Sequence, residues 1–191
     1  MSRSDPPPFI GSSIRRFLGR EDGSAAIEFA GVFPILVALL LGSVDGGRAL
    51  WMARKLNTAT QSVGDILARE AVVSADLLDD VTDAAALIIQ PFNADSLGYD
   101  VIGIQFDPDD GDPEIAWRET DNMPIAGGFP ERADGLGSPG EGVLAIAMRV
   151  EYRPIFINVF TGPVIFERTA ILRGRQTPFV EFADNDDPPS G

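Results

Sequence analysis

The sequence predicts an α+β fold, in which a long N-terminal transmembrane helix extends into a small domain with a second helix and an antiparallel sheet. An apolar run occupies residues 24–44, and apolar residues then recur every three or four positions to about residue 67. Four later segments alternate like strands and are separated by glycine- and proline-rich breaks. Helices followed by strands in this order are typical of an α+β domain.

The apolar run is long enough to cross a membrane. From Ser24 to Val44 its 21 residues carry one charge, Glu28. At about 1.5 Å per residue this length matches the ~30 Å of bilayer hydrocarbon. A buried core helix of a soluble protein is the competing interpretation, but such a helix rarely has this length without a polar face. Pro34 lies inside the run and predicts a kink in the helix.

The helix is expected to continue beyond the membrane to Glu70. No proline occurs between Arg48 and Glu70, although Gly64 costs about 1 kcal/mol relative to alanine. The predicted core-facing residues of this part are Leu56, Ala59, Val63, Ile66 and Leu67.

A second helix and four strands are predicted to follow. Ser74 has the character of an N-cap, Asp76 suits the first turn, and Pro91 ends the segment. The apolar face of this helix is predicted to contain Leu77, Leu78, Val81, Leu87 and Ile88. The predicted strands are YDVIGIQF (99–106), EIAWRET (114–120), GVLAIAMRVEY (142–152) and PVIFERTAILRG (163–174). Residues 120–142 are expected to form a long exposed loop, and residues 183–191 a disordered acidic tail.

Charge is distributed unevenly and predicts an orientation. Residues 1–55 carry a net charge of +2 and residues 56–191 a net charge of −16, which together give −14. Arg15, Arg16 and Arg20 precede the apolar run, so the positive-inside rule places the N-terminus in the cytoplasm and the acidic part outside. Basic residues also follow the run, which opposes this orientation. A strongly acidic domain disfavours nucleic acid as a partner.

The composition argues against an enzyme. The chain has no cysteine and no histidine, which excludes disulfides, thiol and imidazole catalysis and the usual zinc sites. The acidic segment with Asp107, Asp109, Asp110 and Asp112 fails the EF-hand spacing, because Gly111 stands at the fifth position. We interpret it as a solvated turn, and we expect no catalytic residue, cofactor or metal ligand.

The N-terminal segment resembles the class III signal of type IV pilin-like proteins. A basic leader is followed by Gly23, then by Ser24, with Glu28 at the fifth position after the glycine. The segment from Gly23 to Leu50 is similar to TadE-like proteins of the tight-adherence (Flp) pilus system. Pro34 and the later motif Asp45, Gly47 and Arg48 carry this similarity.

This resemblance implies cutting between Gly23 and Ser24 by a prepilin peptidase. Two alternatives are an uncleaved anchor and an ordinary secretory signal peptide, for which the sequence LGSVDGG offers only a weak cleavage site.

Together these observations predict a cytoplasmic leader (1–23), a transmembrane helix (24–45), an extracytoplasmic TadE-like domain (46–182) and the tail (183–191). The resemblance implies a structural or assembly role as a minor pseudopilin in the inner membrane. Its expected partners are other pilin-like subunits, pilus assembly proteins, a prepilin peptidase and the lipid bilayer. The alternative function is a membrane-tethered binding or sensor domain that never enters a pilus.

Overall fold

The computed structural model describes residues 21–125, 127–158 and 162–183, and it confirms the predicted α+β architecture. The helices are α1 (Glu21–Leu67) and α2 (Ala75–Ile89), with a short 3-10 turn at Glu131–Ala133. The strands are β1 (Val72–Ser74), β2 (Gly98–Phe106), β3 (Pro113–Asp121), β4 (Gly142–Tyr152), β5 (Val164–Arg173) and β6 (Glu181–Ala183).

The chain divides into two compact units between Val44 and Asp45. The described part of the first unit is the apolar portion of α1, which continues through Pro34. The predicted kink at Pro34 stays a prediction. The second unit contains the remainder of α1 and all the strands.

The main sheet of the second unit has the order β3-β2-β4-β5, and all its neighbouring strands are antiparallel. These four strands are the predicted ones, within two residues at each end. The register between β2 and β3 shifts between Gly103 and Ile104, as at a β-bulge.

One face of this sheet packs against α1 and α2 to form the larger core. The residues that α1 contributes are Met52, Leu56, Ala59, Val63 and Leu67, which repeat at helical spacing. Ile66 was predicted on this face but is 39% exposed, because it lies one position, or about 100°, away from Leu67 around the helix. The helix ends at Leu67, three residues before the predicted end, in a turn closed by a hydrogen bond from the Arg69 N–H to the Ile66 carbonyl.

The N-cap of α2 is confirmed, since the hydroxyl of Ser74 accepts a hydrogen bond of 3.3 Å from the Leu77 N–H. The buried face of α2 is Leu78, Val81, Ala85 and Ile89. Leu87 was predicted on this face and is instead 67% exposed, because the buried positions repeat at three- and four-residue spacing that skips it.

The second face of the sheet is covered in part by the β3–β4 connection. A smaller core here contains Ile102, Ile104, Phe106, Val143 and Ala145, and the connection adds Ala133 and Phe129 to it. The segment predicted as an exposed loop therefore also contributes to the core.

A short parallel pair, β1 with β6, was not predicted. The Trp117 indole N–H donates a 2.8 Å hydrogen bond to the Val180 carbonyl and so ties the segment before β6 to β3. Ala183, the first residue of the predicted tail, lies in β6, and residues 184–191 lie outside the described residues.

Candidate functional site

The apolar part of α1 is the first candidate functional feature. Within the described residues, α1 is long and apolar enough to cross a membrane, and its most apolar stretch is not buried inside the protein. Large side chains there are exposed, for example Ile27 at 75%. An apolar stretch of helix that is not buried in its own chain needs another apolar environment.

The residues of the predicted processing signal lie in the first turns of α1. Gly23 and Ser24 belong to the helix, and Glu28 lies on its exposed surface. The leader before Glu21 lies outside the described residues. Gly23, Ser24 and Glu28 therefore lie in the same continuous helix.

Asp45 is the second candidate feature, and it is the residue that directly follows the apolar run. Its side chain is buried, with 1% exposure. One carboxylate oxygen accepts a 2.9 Å hydrogen bond from the Ile155 N–H. The other accepts two bonds of 2.8 Å, from the N–H groups of Phe156 and Ile157. A buried carboxylate is thus stabilised by three consecutive backbone donors.

These donors belong to the segment that leaves β4, which we call the 153–158 turn. The Tyr152 hydroxyl, at the end of β4, donates to the Asp45 carbonyl at 3.4 Å. The carboxylate and the carbonyl of Asp45 thus both bind residues more than 100 positions later in the sequence. The resemblance named Asp45, but no local signal identified its partners.

Arg48 lies one helical turn after Asp45 and packs on an aromatic cluster. Its guanidinium carbon is 5.3 Å from the centre of the Phe92 ring, a cation–π distance. The Phe92 ring in turn makes edge contacts with Trp51 and Tyr152. The Arg48 Nε atom is buried and has no hydrogen-bond partner among the described residues. Its favourable contacts therefore include the face of the Phe92 ring and the charge of Asp45.

A cavity of about 390 Å³ opens beside Arg48. Its charged lining residues are Arg48, Arg153, Asp95 and Glu151, two of each sign. Arg153 is already paired with Glu151 at 2.7 Å. The cavity thus presents balanced charge and no pairing of a nucleophile with a base.

Gly47, which the resemblance names together with Asp45 and Arg48, makes no close approach to the part of the chain that the structure describes. A Cβ atom placed there would have no neighbour within 4 Å. The structure therefore brings Asp45 and Arg48 into the packed domain but leaves Gly47 on the surface of α1.

A buried ion pair on the sheet was not identified from the sequence. Asp100 is nearly fully buried, and Arg118 donates to its two carboxylate oxygens at 2.8 and 2.5 Å. This hydrogen bonding raises the pKa of Arg118, while burial opposes the shift. Thr120 adds a third donor to Asp100 at 2.8 Å, so the pair is well satisfied and structural.

The acidic turn after β2 uses its carboxylates to hold its own backbone. Asp107 accepts a 2.7 Å hydrogen bond from the Asp109 N–H, and Asp110 accepts one of 3.0 Å from the Asp112 N–H. Such contacts are typical of Asx turns. In the described part of the chain, no group of three or more Asp or Glu residues is arranged to hold a metal ion.

The features above define a class of protein: a small α+β domain that follows one N-terminal helix able to act as a single-pass membrane anchor. Residues 23–64 match the model of the TadE-like protein family, which confirms the similarity to TadE-like proteins over this segment. The match begins at Gly23 and includes Glu28, Pro34, Asp45 and Arg48. The match covers 42 of the 191 residues and so describes the first helix and not the sheet of the domain. No curated protein and no solved structure is significantly similar to the chain.

Proposed function

We propose that this protein is a minor pseudopilin of a tight-adherence pilus, held in the inner membrane by residues 24–45 with its N-terminus in the cytoplasm. The observation that carries the proposal is the TadE-like match over a helix whose apolar stretch is uncovered in the chain itself. In an assembly, the bilayer and the helices of other pilin-like subunits provide the missing apolar surroundings. The extracytoplasmic domain, residues 46–182, is then the part that reaches the pilus or its base.

Processing is the first test of this proposal. A prepilin peptidase is expected to cut between Gly23 and Ser24, since Glu28 then becomes the fifth residue of the mature chain. Intact-mass measurement of the membrane-extracted protein should show Ser24 as the first residue. Gly23→Phe should block cutting, whereas the matched control Gly19→Phe should not, because Ser24 and not an acid stands five positions after Gly19. If Met1 is retained in cells with an active prepilin peptidase, the protein is not processed, and the alternative of an uncleaved anchor is supported.

Glu28 is the second test. A carboxylate in the bilayer costs on the order of 2.5–3.5 kcal/mol at the helix centre and less near an interface, so intramembrane acids usually face a partner. We propose that Glu28 pairs with the free Ser24 amine of a neighbouring subunit. Glu28→Gln keeps the size of the side chain but removes its charge. Assembly should therefore fall while insertion of the single helix is unchanged or improved.

The measurement for Glu28→Gln is pilus formation or co-purification with other pilin-like subunits, normalised to the amount of variant in the membrane fraction. Asp65→Asn is a matched control on the same helix, because Asp65 forms an exposed pair with Arg175 in the domain. Normal assembly of Glu28→Gln at normal abundance would refute the pairing.

The genes beside this one separate a pseudopilin from the alternative, a tethered binding or sensor domain. A secretion ATPase, a prepilin peptidase and a small pilin in the same cluster would support the pilus role. The absence of these three genes would favour the membrane-tethered binding or sensor domain.

A further inference from the structure

The 153–158 turn exposes apolar side chains at one end of the sheet. Ile155 is 57% exposed and Phe156 is 43% exposed. At the start of β5, Val164 and Ile165 are also exposed, and they pair with Tyr152 and Glu151 at the end of β4. Four exposed apolar residues therefore share the end of one β-hairpin.

The position of this turn is set by Asp45. The carboxylate that binds the N–H groups of residues 155–157 belongs to the first residue after the apolar run. The backbone of the turn is thus within 2.9 Å of the residue at which the bilayer-crossing sequence ends. If residues 24–45 span the membrane, Asp45 lies at the headgroup level, and the turn lies there with it.

The charge of this part of the chain also fits a lipid surface. Residues 56–191 carry a net charge of −16, yet no acidic residue occurs between Glu151 and Glu167. Arg153 is the only charged residue in that interval. The segment therefore lacks the carboxylates that would oppose approach to phosphate headgroups.

Leu87, another exposed apolar residue of the domain, does not share these properties. It is 67% exposed, but it lies on α2, 42 positions after Asp45 in the sequence. Single exposed apolar residues of this kind are ordinary on protein surfaces. Leu87 is consequently a suitable comparison position.

We propose that the 153–158 turn is a second membrane contact, in which Ile155 and Phe156 enter the boundary between the headgroups and acyl chains of the bilayer. The Asp45 carboxylate holds the turn at that depth through its backbone. The domain is then fixed against the membrane at two places, the helix and the turn, and cannot rotate freely about a single tether. This inference rests on the proposed membrane anchoring by residues 24–45.

The chain has no cysteine, so one introduced cysteine gives a unique labelling site. Three full-length variants would be labelled with an environment-sensitive fluorophore in detergent: Phe156→Cys, Leu87→Cys as the water-exposed control, and Phe33→Cys as the control within the apolar run. Substituting Phe156 leaves its backbone N–H in place, so its bond to Asp45 is retained. After reconstitution into phosphatidylcholine and phosphatidylglycerol vesicles, quenching by nitroxide-bearing lipids is measured for each.

The expected result is a loss of emission for the labels at positions 33 and 156 and little loss at position 87. Quenching at position 33 combined with a position 156 that behaves like position 87 would overturn the inference while leaving the anchor intact. No quenching at any position would refute the membrane anchoring as well. A label at position 156 that becomes shielded only when other pilin-like subunits are added would show that the turn binds protein and not lipid, which also overturns the proposal.

Discussion

At the scale of single residues, the chemistry of Asp45 explains why an acid stands directly after an apolar run. A carboxylate accepts hydrogen bonds at both oxygens and carries no donor. Three backbone N–H groups converge on it from the 153–158 turn. An amide at the same place would present its NH₂ group to at least one of these donors, so size alone does not preserve the arrangement.

Asp45→Asn is therefore expected to loosen the 153–158 turn. Buried donors that lose a charged acceptor are costly, and we expect Tm of the detergent-solubilised full chain to fall by roughly 5–10 °C. Asp65→Asn, which removes only an exposed pair with Arg175, should change Tm by roughly 2 °C or less. Thermal unfolding followed by circular dichroism measures both variants. Equal Tm values for the two would contradict the role given to Asp45.

Residues such as Asp45, whose hydrogen-bond partners are distant in the sequence, could not be assigned a role from the sequence. Ser74 was identifiable as an N-cap because a cap bonds to a residue three positions away. Asp45 and Asp100 depend on partners brought to them by the fold, 18 residues away for Arg118 and 110 for Ile155. A single sequence contains no local pattern that indicates such contacts.

At the scale of elements, the surroundings of α1 differ along its length, as the space around two of its glycines shows. Gly47 faces open space, whereas a Cβ atom at Gly64 would overlap the Leu172 side chain and press on Ile146. Gly64 therefore allows α1 to approach the sheet closely, which accounts for a residue that otherwise disfavours the helix.

The two glycines should respond oppositely to substitution. Gly47→Ala is expected to increase the free energy of unfolding by about 0.5–1 kcal/mol, because alanine loses less backbone entropy in a helix and meets no neighbour. Gly64→Val should decrease it by about 1–3 kcal/mol through overpacking against the sheet. Denaturant unfolding of the purified full chain compares them. Stabilisation by Gly64→Val would show that the sheet can move away from the helix at little cost.

Elements with a strong local pattern were predicted and those without one were not. The helices and the four long strands have periodic apolar residues over nine or more positions. Strands β1 and β6 have three residues each and lie more than 100 residues apart, so their pairing depends on the completed fold. The β3–β4 connection was predicted to be exposed because its composition is polar, and a few residues such as Ala133 were enough to place it partly in a core.

At the scale of the whole molecule, the proposed orientation depends on where the basic residues lie and not on the total charge. The acidic residues lie mostly after residue 55, and three arginines precede the apolar run. Orientation follows basic residues near a span and not net charge, so the proposed N-in topology depends chiefly on Arg15, Arg16 and Arg20.

A topology reporter tests this directly. A phosphatase that is active only outside the cytoplasm, fused after Ala183 so that β6 is retained, should be active. The same fusion with Arg15, Arg16 and Arg20 all replaced by glutamine should lose activity in part, because the bias that retains the N-terminus is removed. A cytoplasmic reporter that is active after Ala183 in the unmodified chain would reverse the topology and refute the pilus role.

The parallel pairing of β1 with β6 has a mechanical consequence for a protein anchored in a membrane and loaded from its far end. The chain enters β1 from α1 at Val72 and leaves β6 at Ala183, so tension between the helix and the segment after β6 pulls the two strands in opposite directions along their length. Their hydrogen bonds are then sheared together and are not peeled apart one at a time. Asp45 and Leu67 are 22 residues apart on α1, about 33 Å at 1.5 Å per residue. The contacts of Asp45 thus lie at the anchored end of this part of α1 and the strand pair follows its other end, so tension acts on both.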